Sequence, residues 1–252
     1  MLLTAILFTA VANINVSAQT SVPESKQVKI MTYNIRHCCG MDEVYDCERT
    51  VDVIRKSGAQ FIGVQEVDSV TGRSEQRDIL KELGTELHLF HTFGKAIDFD
   101  GGSYGIGILS AEKPLSVHRI SLPGREEKRL LLVAEFNNFV LANVHISLTP
   151  EDALASVPII IKEAQNWNKP FFLVGDWNTH PDEAFVKEIS KHFDIISSTK
   201  DNTFPASGPN ECIDYIALFK ADIQPVVNCS TTVINDSIAS DHRPIINTIE
   251  FK

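Results

Sequence analysis

The chain has 252 residues, 43% hydrophobic and 22% charged, with 33 acidic against 23 basic side chains and a formal net charge of −10. That apolar share is enough for one sizeable core and excludes general disorder. The acidic balance argues against general binding of duplex nucleic acid, because affinity for a polyanion comes largely from Lys and Arg displacing counterions; a local basic patch stays open.

The longest uncharged apolar stretch is Met1 to Ala18, which ends in Val16-Ser17-Ala18, a small-residue pattern suited to cleavage before Gln19. It reads as an export leader (1–18) ahead of a single domain (19–252), and the expected location is secreted or periplasmic. A buried first element or a membrane anchor are the alternatives. The n-region lacks Lys and Arg, but an anchor needs about 20 apolar residues and this segment carries Asn13 and Asn15. No stable membrane anchor is expected, and the protein is expected to be a monomer.

Val28–Tyr33 and Phe61–Gln65 are short runs rich in Val, Ile and aromatic residues, and the segment between them reads as a helix. Asp46 is its N-cap, Val51 and Ile54 its inner face, and Gly58 its stop. Ser74–Leu83 repeats the pattern, with Ile79, Leu80 and Leu83 on one stripe before Gly84. Strands then dominate: Leu87–Phe93, Gly105–Leu109, Leu115–Ile120, Leu131–Phe136 and Phe139–Val144, with Asn137-Asn138 as a tight turn that uses the tolerance of Asn for positive φ. Thr149-Pro150-Glu151-Asp152 starts a helix in which Pro158 predicts a kink or break. Phe171–Gly175 is a strand, Pro181–Lys191 a helix, and Ile213–Phe219, Val226–Val233 and Pro244–Phe251 complete the strands. Two packed sheets flanked by helices fit this order better than a simple parallel sheet.

Cys38, Cys39, Cys47, Cys212 and Cys229 lack the C-x-x-C spacing of a structural zinc site. Export permits a disulfide from Cys47 to Cys38 or Cys39, and another between Cys212 and Cys229. Free buried thiols are the alternative, and the odd count leaves at least one thiol without a partner in the chain.

Polar residues collect at strand ends. Asn34, Glu66, His145, Asp176 and Asn178 each follow a predicted strand, and Asp241 and His242 precede the last one. Loops at strand ends are where a rigid scaffold presents reactive groups. Singly, each has an ordinary explanation as a turn, cap or core residue.

Together, Thr32-Tyr33-Asn34-Ile35-Arg36, Gln65-Glu66-Val67, Tyr104-Gly105-Ile106-Gly107, Asn143-Val144-His145, Gly175-Asp176-Trp177-Asn178, Ile213-Asp214-Tyr215 and Ser240-Asp241-His242 resemble, in order, the motifs of the endonuclease/exonuclease/phosphatase superfamily. The resemblance spans nearly the whole chain after the leader. It implies the α/β fold of deoxyribonuclease I: a four-layer sandwich of two mixed sheets flanked by helices. It also implies metal-assisted hydrolysis of a phosphodiester or phosphomonoester by in-line attack of water.

A phosphoester repels a nucleophile, and more charge builds on its oxygens during displacement, so a cation is required. A hard ion such as Mg²⁺, with Mn²⁺ as a substitute, takes oxygen ligands. The resemblance implies Glu66, Asn34 and Asp241, with Asp176 and Asn178 as ligands of a second ion. His242 is the candidate base, oriented by Asp214, and Asp176 is the rival. His145 and Asn178 would contact non-bridging oxygens.

Tyr104 reads either as a substrate contact or as a packed aromatic, beside a rim of Gly101, Gly102, Gly105 and Gly107. Arg36, Arg73, Lys95 and Arg125 are candidate phosphate contacts or ordinary solvated charges, with Arg36 and Arg125 counted for the substrate. The expected substrate is a phosphorylated small molecule, lipid headgroup or sugar. A secreted nuclease and a catalytically silent binding module are the competing readings, the last opposed by the intact acidic and imidazole set.

Overall fold

Burial along the strands decides the architecture. In the computed structural model, which describes residues 27–220 and 226–251, β7 (Val140–His145) and β8 (Phe171–Asp176) are buried at every position, and β6 (Arg129–Glu135) at all but its last. A strand buried on both faces must lie between two layers. The expected leader lies outside the described residues.

The first sheet has the order β11-β12-β1-β2-β4-β3, formed by Val226–Val233, Ile245–Phe251, Gln27–Asn34, Phe61–Ser69, Gly102–Ser110 and Phe90–Phe99. The second has the order β5-β6-β7-β8-β10-β9, with β5 at Ser116–Leu122, β10 at Asp214–Phe219 and β9 at Phe193–Ile195. Each sheet is antiparallel except for one central parallel pair, β1/β2 and β7/β8. Parallel neighbours need a crossover, here α1 (Cys47–Ser57) and α3 (Pro150–Ala164). Ile30, Phe61, Ile108, Leu132, Phe172 and Ile216 fill the space between the sheets. A second cluster joins the outer face of the first sheet to α1 and α2 (Ile79–Leu87), and a third joins the second sheet to α3 and α4 (Ala184–Ile189). The result is the expected four-layer α/β sandwich.

A polar bridge crosses the otherwise apolar interior. Gln65 Nε2 donates to Asn143 Oδ1 at 2.6 Å, and Asn143 Nδ2 donates to the carbonyls of Val64 and Gly107 at 2.9 and 2.7 Å. These bonds tie β7 of one sheet to β2 and β4 of the other.

The structure departs from the predicted elements in several places. The second helix starts at Ile79, capped by Asp78, because Thr71 and Ser74 are committed to a side-chain network with buried Asp68. It runs through Gly84, where a side chain would crowd the Leu89 carbonyl and His91, and ends at His88 in the left-handed region. The next strand therefore begins at Phe90. Pro158 does not break α3: it lies on the exposed face, where water can satisfy the carbonyl left without a donor. The helix expected at 181–191 shortens to six residues. Asn137 and Asn138 do turn the β6–β7 chain, without positive φ. All five cysteines are free. Cys229 pairs with Ile249 in the first sheet, whereas Cys212 bonds Ser198 O beside the second, which separates that expected pair.

Candidate active site

The parallel pairs deliver Asn34, Glu66, His145 and Asp176 to one end of the sandwich. Glu66 reaches it through a β-bulge: the register of β2 against β4 slips between Val64 and Val67, and Glu66 takes φ +56°. A bulge places an extra residue against the partner strand and re-aims a side chain. Asn178, at φ +51°, and the turn Arg36–Cys38, at φ 43 to 64°, are also left-handed. Such conformations cost about 1–3 kcal/mol each and persist only where their surroundings impose them.

Buried Asn34 is the hub. Its Nδ2 donates to Glu66 Oε1 and to Asp176 Oδ2, both at 3.0 Å, and lies 3.4 Å from His242 Nε2. Its Oδ1 accepts from the Arg36 amide at 3.0 Å, and Ser240 Oγ holds its carbonyl at 2.7 Å. His242 Nδ1 is 2.9 Å from Asp214 Oδ2, which also accepts from Thr203 Oγ1 at 2.5 Å. The Phe204 ring packs 4.8 Å from the imidazole. Asp176 Oδ2 lies 3.6 Å from both His242 Nε2 and His145 Nε2, and its Oδ1 accepts from the Asn178 amide at 2.9 Å. Glu66 and His242, 176 positions apart in sequence, therefore share one partner.

Burial and charge set the protonation states. Burial, the largest influence on His242, lowers its pKa, but Asp214 and Asp176 outweigh it and raise the imidazole to about 10. Burial lifts Asp176 to about 7, with His242 pulling it down and Asp214 pushing it up. Burial, then Arg129 and His242, drive His145 well below the usual imidazole range, so it is a neutral ring with one N–H to donate. Burial also raises Glu66, against the Asn34 hydrogen bond.

Of the expected ligand trio, Asn34 and Glu66 touch, whereas Asp241 stands at the rim beside Ser240 Oγ, 3.9 Å from Arg36 Nε. Among the described residues, the His/Cys/Asp/Glu group whose donor atoms all lie within 4.8 Å of one another is instead Asp176, Asp214 and His242. Arg36 spends its guanidinium on Gly40 O and Glu43, both at 3.0 Å. Tyr104 is buried, near enough to Glu66 to feel its charge, and the Arg73 guanidinium lies 5.6 Å from its ring. Arg125 is not drawn in: it is exposed and grips Asp152 at 2.9 and 3.1 Å, in the first turn of α3. The sequence reading missed Thr203 and Arg129, and it quoted Ser240 within the Ser240-Asp241-His242 motif without giving it a role. A lone hydroxyl in a loop carries no signal, and Arg129 begins a strand with nothing local to mark it.

Glu66, Asp176, Asp214 and Asp241 supply more negative charge than His242 offsets, and Asp214 Oδ1 is buried without a partner. Buried carboxylates in excess are costly unless paired or coordinated to a cation, and an oxygen-rich set is the donor chemistry of a hard divalent ion. The residues present fit such an ion.

The sequence profile of the Endonuclease/Exonuclease/phosphatase family matches residues 31–242, so it brackets every member of this cluster. The chain belongs to that family. As its name says, the family unites nucleases and phosphatases, hydrolases of phosphate esters. Among solved structures, the chain is similar to a family member from Bacteroides vulgatus at 17% identity and TM-score 0.73, covering 90% of this chain and 100% of the other. A mannosyl-6-phosphatase from Bacteroides thetaiotaomicron is similar at 15% identity and TM-score 0.70, covering 89% and 100%. The human Nocturnin catalytic domain with bound sulfate is similar at 18% and 0.68, covering 90% and 94%. At these identities the likeness is one of fold. Among curated protein sequences, none matches the chain at a significant level.

Proposed function

We propose that this protein is an exported, divalent-metal-dependent phosphoesterase that hydrolyses a small phosphorylated substrate by in-line attack of water. The reading is carried by one observation: a buried His242–Asp214 pair at 2.9 Å lies against Asp176, Asn34 and Glu66 at the same end of the sandwich. Glu66 and Asn34, with Asp176 or Asp241, would hold Mg²⁺ or Mn²⁺, and the ion when bound supplies positive charge for the phosphate oxygens. With a bound cation offsetting the carboxylates that keep the ring protonated in its absence, His242 Nε2 would take the proton of the attacking water, and Asp214 would fix the ring and offset the imidazolium. Asp176, near neutrality, is the second candidate for that proton. Neutral His145 donates to a non-bridging oxygen, and Asn178, held on Ile146 O at 2.9 Å, borders the same position.

The net charge of −10 favours a small substrate over a polynucleotide. The leader-like residues 1–18 support export and a secreted or periplasmic location. Hydrolysis of bis(p-nitrophenyl) phosphate, with and without Mg²⁺ or Mn²⁺, tests the reading. Activity that survives both a chelator and Glu66→Ala would end it, and salt-sensitive cutting of plasmid would move the assignment to a nuclease.

A further inference from the structure

Four basic side chains stand near the site motifs, and the structure sorts them by what their N–H groups already bond. Arg125 grips Asp152, Arg36 is spent on Gly40 O and Glu43, and Lys95 is ion-paired with Asp98 on the surface. Arg73 differs. Its Nε and Nη2 donate side by side to Asp68 Oδ2 and Oδ1 at 2.7 and 2.8 Å, and its Nη1 donates to no described residue. The Asp68 side chain has no exposure while that of Arg73 is 34% exposed, so one edge of the guanidinium fork is anchored inside the protein and its third arm is left open.

The surroundings hold that arm in place. Thr71 Oγ1 donates to Asp68 Oδ2 at 2.7 Å and steadies the carboxylate. The guanidinium carbon lies 4.5 Å from the centroid of the Phe99 ring and 5.6 Å from that of Tyr104. Ordering a long side chain costs free energy on binding, and here the protein has met that cost before any ligand arrives. Tying loops together does not require the guanidinium. The backbone already joins the β2–α2 loop to the β3–β4 hairpin, through the Gly72 amide on Asp100 O at 2.8 Å and the Arg73 amide on Asp100 Oδ2 at 2.6 Å. The pair also stands at the catalytic end of the sandwich. Asp68 is two residues beyond Glu66 on β2 and pairs with Tyr104 of β4, and Arg73 and Glu66 each feel the other's charge.

We infer that Arg73 is a substrate-binding residue of this site, donating from Nη1 to an anionic oxygen of the phosphorylated substrate while Asp68 holds the other two arms. A planar guanidinium can serve a carboxylate with two parallel N–H groups and an outside oxygen with a third, which an ammonium cannot. The inference rests on the phosphoesterase reading and adds a contact to it. Arg73 then meets the substrate from the first sheet and His145 from the second.

The test uses full-length, Mg²⁺-loaded protein with inorganic phosphate as the probe, its affinity read by calorimetry and by inhibition of bis(p-nitrophenyl) phosphate hydrolysis. Arg73→Lys keeps a cation beside buried Asp68 but loses the third arm. The double variant Asp68→Asn, Arg73→Gln removes both charges, so neither is left buried alone, and melting temperatures are measured in parallel. Each variant should bind phosphate roughly tenfold more weakly or worse, because a hydrogen bond to a charged group is lost, with KM for the ester raised in step and Mg²⁺ affinity unchanged. A folded variant that keeps phosphate affinity and KM within about a factor of three of wild type overturns the assignment and leaves the phosphoesterase reading standing. A parallel loss of Mg²⁺ affinity also overturns it, since Arg73 would then act through Glu66. Wild-type protein that neither binds phosphate nor hydrolyses the ester overturns both.

Discussion

Replacing Asp214 by Asn keeps the shape of the His242 partner and removes its charge. In the metal-free protein His242 is held at about 10, against an ordinary value of 6.5. At about 1.4 kcal/mol for each factor of ten, that is roughly 5 kcal/mol in favour of the imidazolium, net of the burial that opposes it. Asp214 is the nearest carboxylate, at 2.9 Å, and Asp176 is farther, at 3.6 Å. In the variant, burial acts against a weaker opposition, so His242 should titrate at least about 2 pH units lower. An NMR titration of the imidazole nitrogens in metal-free wild type and Asp214→Asn measures this directly. The stability consequence has a definite sign. A group whose pKa rises on folding stabilises fully below its unfolded value and loses that contribution as pH climbs through the folded one. Metal-free wild type should therefore lose thermal stability between about pH 6.5 and 10, and Asp214→Asn should lose less over the same range. Turnover should fall by roughly 10³- to 10⁴-fold, as for other histidine bases deprived of their carboxylate. If His242 titrates at the same pH in both proteins, the electrostatic account of the site is wrong.

Glu66→Gln should weaken Mg²⁺ or Mn²⁺ binding by roughly tenfold or more, read by calorimetry, and unchanged affinity would remove Glu66 from the ligand set. Asn143→Ala should cost about 2–4 kcal/mol in urea denaturation, because it leaves one N–H of Gln65 Nε2 with no acceptor while the other keeps Thr32 Oγ1, and takes the side-chain donor from the Val64 and Gly107 carbonyls; a cost near zero would mean water replaces the bridge. Arg125→Ala removes one exposed ion pair, should change stability by about 1 kcal/mol at most, and should leave kcat/KM within a factor of three. A larger loss of activity would return Arg125 to the substrate.

Much of the architecture was legible because local chemistry and global fold agree. Asp46 and Gly58 bound α1 as a cap and a left-handed stop. Thr149-Pro150 opens α3, and Val226–Val233 is a strand over the predicted residues. The errors fall where tertiary contacts override local signals. Gly84 reads as a terminator, yet it is the close approach of Leu89 and His91 that requires it. Pro158 reads as a breaker, yet its face is open to water.

The site divides along the same line. Residue types and their order nominated Asn34, Glu66, His145, Asp176, Asn178, Asp214, Asp241 and His242 through the resemblance of seven ordered motifs to those of the family, and phosphoester chemistry gave those residue types their expected roles. Sequence alone did not reveal that Asn34 would be the shared hub, that Asp241 would sit at the rim, or that Arg125 would turn to Asp152. Nor did it reveal that Arg129 would stand with an unpaired Nε beside His145. Those facts depend on distances between chain segments up to 208 residues apart. Such distances are set by sheet order, a bulge at Glu66 and the packing of two sheets, and no window of neighbouring residues encodes them.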